Sequence, residues 1–287
     1  MLIKMMSNRN LMRRCAMALL LLLPAFAHAQ APAGEAEAEL LFREVRVLDT
    51  ARGTLGAPTD VLVRGNRIAA IGDGARPTAS ARVIEGHGRT LMPGLIDVHW
   101  HSTFTALSQA DLLAPDASPE KLAATVATES ARTLLRGFTS VRDAGGPIFE
   151  LKAAIDAGKM PGPRIWPSGA FVSQTSGHGD LRQPHERSRR FFGKPSMAEE
   201  MGATFIADGR DEVLTAVREN LRMGASQIKL MAGGGTSSAY DPVDVTQYTF
   251  DEMRAAVEAA EDWGTYVMVH AYTTRAVRRT IEAGVKC

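Results

Sequence analysis

The chain has 287 residues, of which 45% are hydrophobic and 23% charged, with 33 basic against 32 acidic side chains. This balance argues against nucleic acid or a strongly acidic partner. The composition is that of an ordinary globular protein rather than a disordered or fibrous one.

Residues 1–29 read as a secretory signal. Lys4, Arg9, Arg13 and Arg14 form a positive start, Cys15 to Leu23 is apolar, and Ala27-His28-Ala29 fits a small-x-small cleavage site. The apolar run is short for a membrane span. A secreted or periplasmic protein with no membrane attachment in its mature form is therefore expected. Without residues 1–29 the chain keeps 29 basic and 32 acidic residues, a formal charge of −3, and Cys287 as its one cysteine, so no internal disulfide is expected. Residues 30–39 are small and polar and read as a disordered leader.

Residues 40–92 look like a small β unit. Leu41–Leu48, Asp60–Arg64, Arg67–Ile71 and Arg82–Glu85 carry strand-forming residues, and Gly65-Asn66 is a hairpin signal. From Pro93 the pattern becomes strand, loop, helix. Strands are expected at Leu95–His99, Phe138–Arg142, Arg164–Val172, Gln227–Met231 and Tyr266–His270. Helices are expected from Ser118 as N-cap to Arg136, over Phe149–Ala157 and Asp211–Met223, from a Thr249/Glu252 capping box to Trp263, and over Thr273–Ala283. Five βα units in succession argue for a parallel sheet wrapped by helices. Polar residues gather at the C-terminal strand ends, where a (β/α)₈ barrel of the TIM type builds its site. A doubly wound open sheet is the alternative, and it does not explain ligand-type residues at the ends of strands one, four and five. The barrel reading covers 93–287 and is incomplete: a closed barrel needs eight strands, so a longer protein or a truncated chain is expected.

Three strand ends carry the chemistry. In Pro93-Gly94-Leu95-Ile96-Asp97-Val98-His99-Trp100-His101, strand alternation puts His99 and His101 on one face, roughly 7 Å apart, and two neutral imidazoles there suit a divalent metal. Asp97 either orients an imidazole or serves as a structural hydrogen-bonder. In Ile228-Lys229-Leu230-Met231-Ala232-Gly233-Gly234-Gly235, burial lowers the pKa of Lys229. Its free amine then either reacts with CO₂ to give a metal-bridging carbamate, or the lysine pairs with an acid or a substrate carboxylate. The glycines allow close backbone approach to a substrate. His270 ends the fifth strand.

These segments resemble the metal-dependent amidohydrolase superfamily over about residues 40–287. The similarity is greatest to the branch with imidazolonepropionase-like proteins, Xaa-Pro dipeptidases and ochratoxin-hydrolysing amidohydrolases. The resemblance implies a split β-sandwich portion before the barrel and a site with two metal ions, Zn²⁺ by ligand type. His99 and His101 hold one ion, His270 helps hold the other, and carbamylated Lys229 bridges them. It also implies a further metal-binding His on strand six and a catalytic Asp on strand eight, beyond Cys287. Hydrolysis of an amide bond in a dipeptide or an N-acyl amino acid such as ochratoxin A follows. The alternatives are a cyclic amide or other C–N bond, or an inactive truncated fragment. A homo-oligomer is expected at full length.

The long stretch Ser173–Asp211 reads as a functional loop. Within it His178 either hydrogen-bonds the scissile carbonyl or a substrate carboxylate, or is solvated. Arg182, Arg187, Arg189, Arg190 and Lys194 make it basic, and one of them, Arg182 foremost, either clamps a carboxylate or faces solvent. Tyr240 either donates its hydroxyl to a developing oxyanion or packs. The Arg142-Asp143-Ala144-Gly145-Gly146 turn reads as structural.

Overall fold

The computed structural model describes residues 38–108, 111 and 119–287. The signal, most of the leader and the Ser118 cap lie outside the described residues. Among the described residues no helix is long and apolar enough to cross a membrane. The chain divides into two compact units at Met92/Pro93.

The first unit is one mixed sheet of β1 (Glu39–Asp49), β2 (Thr54–Arg64), β3 (Arg67–Ile71), β4 (Arg82–Glu85) and β5 (Thr90–Leu91). Its order is β3-β2-β1-β4, with β5 also on β1. Leu41, Val45, Val61 and Leu62 are its buried apolar residues. Gly65 opens the β2–β3 turn with φ 56°, as the Gly-Asn pair implies. The second strand starts six residues before the expected Asp60, because Thr54 and Leu55 pair with Asp49 and Leu48 of the long β1. Cross-strand pairing overrides the poor strand propensity of Gly56 and Pro58. A sandwich needs two facing sheets, whereas the described residues of this unit form a single sheet threaded through β1.

The second unit alternates strand and helix, and every strand pairing named in it is parallel. It comprises β6 (Leu95–Trp100), α1 (Pro119–Leu135), β7 (Phe138–Asp143), α2 (Phe149–Asp156), β8 (Arg164–Pro167), β9 (Phe171–Ser173), α3 (Arg189–Phe192), α4 (Met197–Glu200), β10 (Thr204–Ile206), α5 (Arg210–Arg222), β11 (Ile228–Met231), α6 (Phe250–Asp262), β12 (Val267–His270) and α7 (Thr274–Glu282). The sheets run β6-β7-β8 and β10-β9-β11-β12. The single strand expected over Arg164–Val172 is therefore two. It breaks at Gly169, with φ 75°, where the Asn220 amide of α5 accepts from Ala170 N and donates to Ala170 O at 3.0 and 2.9 Å. One half pairs with β7 and the other with β11, so successive strands stay adjacent. The long loop also corrects the expectation: it contains α3, α4 and β10, which pairs with β9.

The core lies between the parallel strands and α5 and α6. Val213, Val217 and Leu221 of α5 and Met253 and Val257 of α6 pack with Ile228 and Leu230 of β11, all buried. The Thr249 hydroxyl accepts from Glu252 N, and the Glu252 carboxylate returns to Thr249 N, as the sequence motif requires. Gly137 and Gly224 follow α1 and α5 at φ 97° and 100°, left-handed values that stop a helix.

Candidate metal centre

The expected ligands arrive from the C-terminal ends of three strands. β6 delivers His99 and, one residue past its end, His101; their ring centroids are 5.3 Å apart. β11 delivers Lys229, whose Nζ lies 3.2 Å from His99 Nε2. β12 ends in His270. These four side chains and His178 line one cavity of about 350 Å³. Apolar groups make most of the remaining wall, including Phe104 and Phe171, stacked at 5.6 Å and both edge-on to His101.

Partners fix which ring nitrogens are free. His101 Nδ1 lies 3.2 Å from Gly145 O, which requires the N–H on Nδ1 and leaves Nε2 with its lone pair. His270 Nε2 lies 2.9 Å from Gly234 O, so its free nitrogen is Nδ1. Burial holds His101 down to about 4 and also lowers His99 and His270. All three rings are therefore neutral at pH 7, the form that ligates metals. Lys229 is 1% exposed, and burial pulls its amine down to about 8. Among the described residues no carboxylate pairs with it. Nor do three His, Cys, Asp or Glu side chains converge on a common point there. The imidazoles present fit a divalent ion, and Lys229 could join them only through an oxygen-bearing derivative or after losing its proton, which a pKa of about 8 makes easier than for an exposed lysine.

The supporting residues are equally specific. Asp97 Oδ1 accepts from His99 N at 2.9 Å, so its carboxylate fixes the backbone, as in the structural reading. Arg142 donates to Val98 O, Tyr266 Oη and Cys287 Sγ at 2.6, 3.0 and 3.2 Å. Asp143 is fully buried and accepts from Ser102 N and Gly145 N at 2.7 and 3.1 Å; burial raises it to about 6. It ties the residue after His101 to the residue whose carbonyl His101 holds.

The remaining expected residues divide. His178 enters the cavity. Its ring stacks on His270 at 3.9 Å and 14°, and its Nδ1 lies 2.8 Å from Ser238 Oγ and 3.0 Å from Asp241 Oδ2. Arg182 does not line the cavity: its guanidinium is held in a fork by Asp180, with Nε to Oδ1 at 2.7 Å and a second bond from Nη2 to Oδ2. Tyr240 is also absent from the lining and is 46% exposed; what the fold uses is its carbonyl, which accepts from Ser176 Oγ at 2.7 Å. Arg189 and Arg190 pair with Glu199 and Glu212, and Arg187 sits over the Phe192 ring.

The glycine run leaves room for the protein's own groups. A Cβ on Gly235 would lie 2.0 Å from Cε1 of His178, and one on Gly234 would lie 1.9 Å from Pro242 O. The structural reading of the Asp143 turn agrees with its hydrogen bonds; sequence reasoning passed over Asp241, an acid directly before Pro242 in the loop after β11.

The model of the Amidohydrolase family matches residues 90–287. The chain belongs to that family. Its relatives share the TIM-barrel fold, in keeping with the parallel α/β architecture of the second unit. The chain is 35% identical over 201 residues to ochratoxinase of Aspergillus niger, an alignment covering 68% of this chain and 42% of that protein. It resembles the structure of a prolidase complexed with N-methylphosphonate-L-proline, with a TM-score of 0.77 and 39% identity over 87% of this chain and 60% of that one. A Xaa-Pro dipeptidase with methionine bound in its active site gives a TM-score of 0.71 and 30% identity over 87% and 60%. The amidohydrolase chain thus spans less than two thirds of the length of these relatives.

Proposed function

We propose that this chain carries the metal-binding part of an enzyme that hydrolyses the amide bond of a dipeptide or of an N-acyl amino acid of the ochratoxin type. The observation that carries the reading is Lys229: a fully buried amine, unpaired with any described carboxylate, 3.2 Å from His99 Nε2 at the mouth of a histidine-lined cavity. A cation there without a counter-ion is costly; the deprotonated amine adding to CO₂ would form an N–C bond, release one proton to solvent and leave a carbamate, whose negative charge bound metal ions would offset. His99, His101 and His270 would hold two zinc ions together with carbamylated Lys229. When bound, the metal supplies a Lewis acid for the amide oxygen and lowers the pKa of water.

The chain's own residues do the rest. His101 is kept neutral by burial and aimed by Gly145 O, and His270 is aimed by Gly234 O. The apolar wall of Phe104, Phe171, Met197 and Met201 excludes water and receives an uncharged part of the substrate. His178 meets the scissile carbonyl or a substrate carboxylate. The amino-terminal pattern supports secretion or a periplasmic location.

The test is hydrolysis of N-acyl-phenylalanine and of Xaa-Pro dipeptides by the purified full-length protein, which carries the further His and the catalytic Asp expected beyond Cys287, with zinc or with a chelator. Zinc-dependent release of the amino acid is expected, and zinc should restore what the chelator removes. Release that is indifferent to the chelator contradicts the reading.

A further inference from the structure

The loop after β11 builds a support around His178 that the reaction as proposed does not yet use. Asp241 is 4% exposed. Its Oδ2 accepts twice, from Gly235 N at 2.8 Å and from His178 Nδ1 at 3.0 Å. Its Oδ1 is buried with no hydrogen-bond partner among the described residues. Placing a carboxylate there is expensive, so its retention calls for a return elsewhere. On the other side, Gln247 Oε1 accepts from His178 N at 2.9 Å. Gly235 lacks the Cβ that would strike the ring. His178 is thus gripped at its backbone, at one ring nitrogen and along one ring face, with His270 stacked at 3.9 Å.

We propose that Asp241 is the positioning residue of His178: by accepting from Nδ1 it fixes the Nδ1–H tautomer and turns Nε2 to the cavity, where it meets the substrate. For its consequence in turnover the inference rests on the hydrolase reading; its geometry does not. A carboxylate that accepts from Nδ1 of an imidazole selects one tautomer and one ring orientation. Ser238 Oγ is no substitute, because a hydroxyl either donates or accepts and so permits both tautomers. Oδ2 has no proton to give when ionised and dictates one. Supporting partners of this kind typically contribute about 10–100-fold when removed.

The experiment is ¹⁵N spectroscopy of the histidine rings in the full chain at pH 8, with His178 assigned by its disappearance in His178→Gln. The wild-type chain should show His178 protonated at Nδ1 and bare at Nε2; an Nε2–H ring overturns the inference without recourse to any variant. Asp241→Ala should give a mixture of tautomers, whereas Ser238→Ala should leave the ring as it is. Asp241→Asn should retain the tautomer, because its amide oxygen replaces Oδ2 and its NH₂ takes the place of the unpartnered Oδ1. With zinc present, Asp241→Ala should lower kcat for the dipeptide about 10–100-fold with KM little changed, and Asp241→Asn should recover part of the loss. A ring spectrum unchanged in Asp241→Ala overturns the proposal, even if turnover falls. A shifted spectrum with unchanged turnover overturns the role in hydrolysis. Absence of hydrolysis in every variant and in the wild type counts against the hydrolase reading alone, since the ring spectra are read without substrate.

Discussion

Opposed titrations meet around His101. Burial lowers this ring to about 4 from 6.5, so in the metal-free protein its contribution to stability is present above about pH 6.5 and is lost as pH falls toward 4. His99 and His270 are displaced in the same direction. Asp143, two hydrogen bonds away, is raised to about 6 from 3.8. Its native form holds the proton more tightly than the unfolded chain does, so its contribution grows as pH falls from 6 to 4. At roughly 1.4 kcal/mol per pH unit, His101 and Asp143 each amount to about 3 kcal/mol, with opposite sign. Replacing Asp143 by Asn removes the compensating slope. Urea unfolding of the metal-free protein between pH 7 and pH 4 should show a steeper acid loss in Asp143→Asn than in the wild type; parallel curves would contradict the opposition. Sequence reasoning reached the rings because a His-x-His at a strand end announces itself. The structural reading of the Arg142–Gly146 turn agrees with the hydrogen bonds of Asp143, whereas Asp241 beside Pro242 looks like any turn residue until the chain has folded over it. Arg182 pairs with Asp180 and the Tyr240 side chain is exposed, and neither lines the cavity.

Among the elements, capping and periodicity were legible and strand continuity was not. Pro167-Ser168-Gly169 within Arg164–Val172 carries a turn signal that the single-strand reading passed over, and the grip of Asn220 on Ala170, from a helix some fifty residues away, holds the break in place. β10 is a three-residue strand whose pairing with β9 supplies what its short sequence does not. The capping box of α6 was legible, yet its acid does more than local work. Glu252 accepts from Thr249 N and Thr249 Oγ1 through Oε2 and from Gly209 N, at the start of α5, through Oε1 at 2.7 Å. It therefore pins the start of α6 to that of α5. Glu252→Ala should cost more than the loss of an ordinary N-cap, about 1–2 kcal/mol, and Thr249→Ala about 1 kcal/mol. Thermal unfolding that ranks Thr249→Ala as the more damaging change would contradict the double role of Glu252.

At the scale of the whole molecule, all the candidate chemistry lies in the second unit. The first unit's sheet is fixed by its own pairings and by Glu39. That carboxylate accepts from Thr78 Oγ1 and Thr78 N at 2.6 Å each and from Arg64 Nε at 2.6 Å, which hold it at about 2. Parallel strands followed by helices bring residues 99, 101, 229 and 270, far apart in sequence, to one cavity, and this is why a chain-order reading of strand ends grouped them. The glycines after Lys229 were legible as a demand for space, but the claimant of that space, His178, was not. The account stands or falls on Lys229. Zinc content measured after loading in bicarbonate, for the wild type and for Lys229→Ala, tests it most directly. Two zinc ions per chain in the wild type, falling to one or none in Lys229→Ala, is the predicted result; the same two ions bound with equal affinity in both proteins would contradict it.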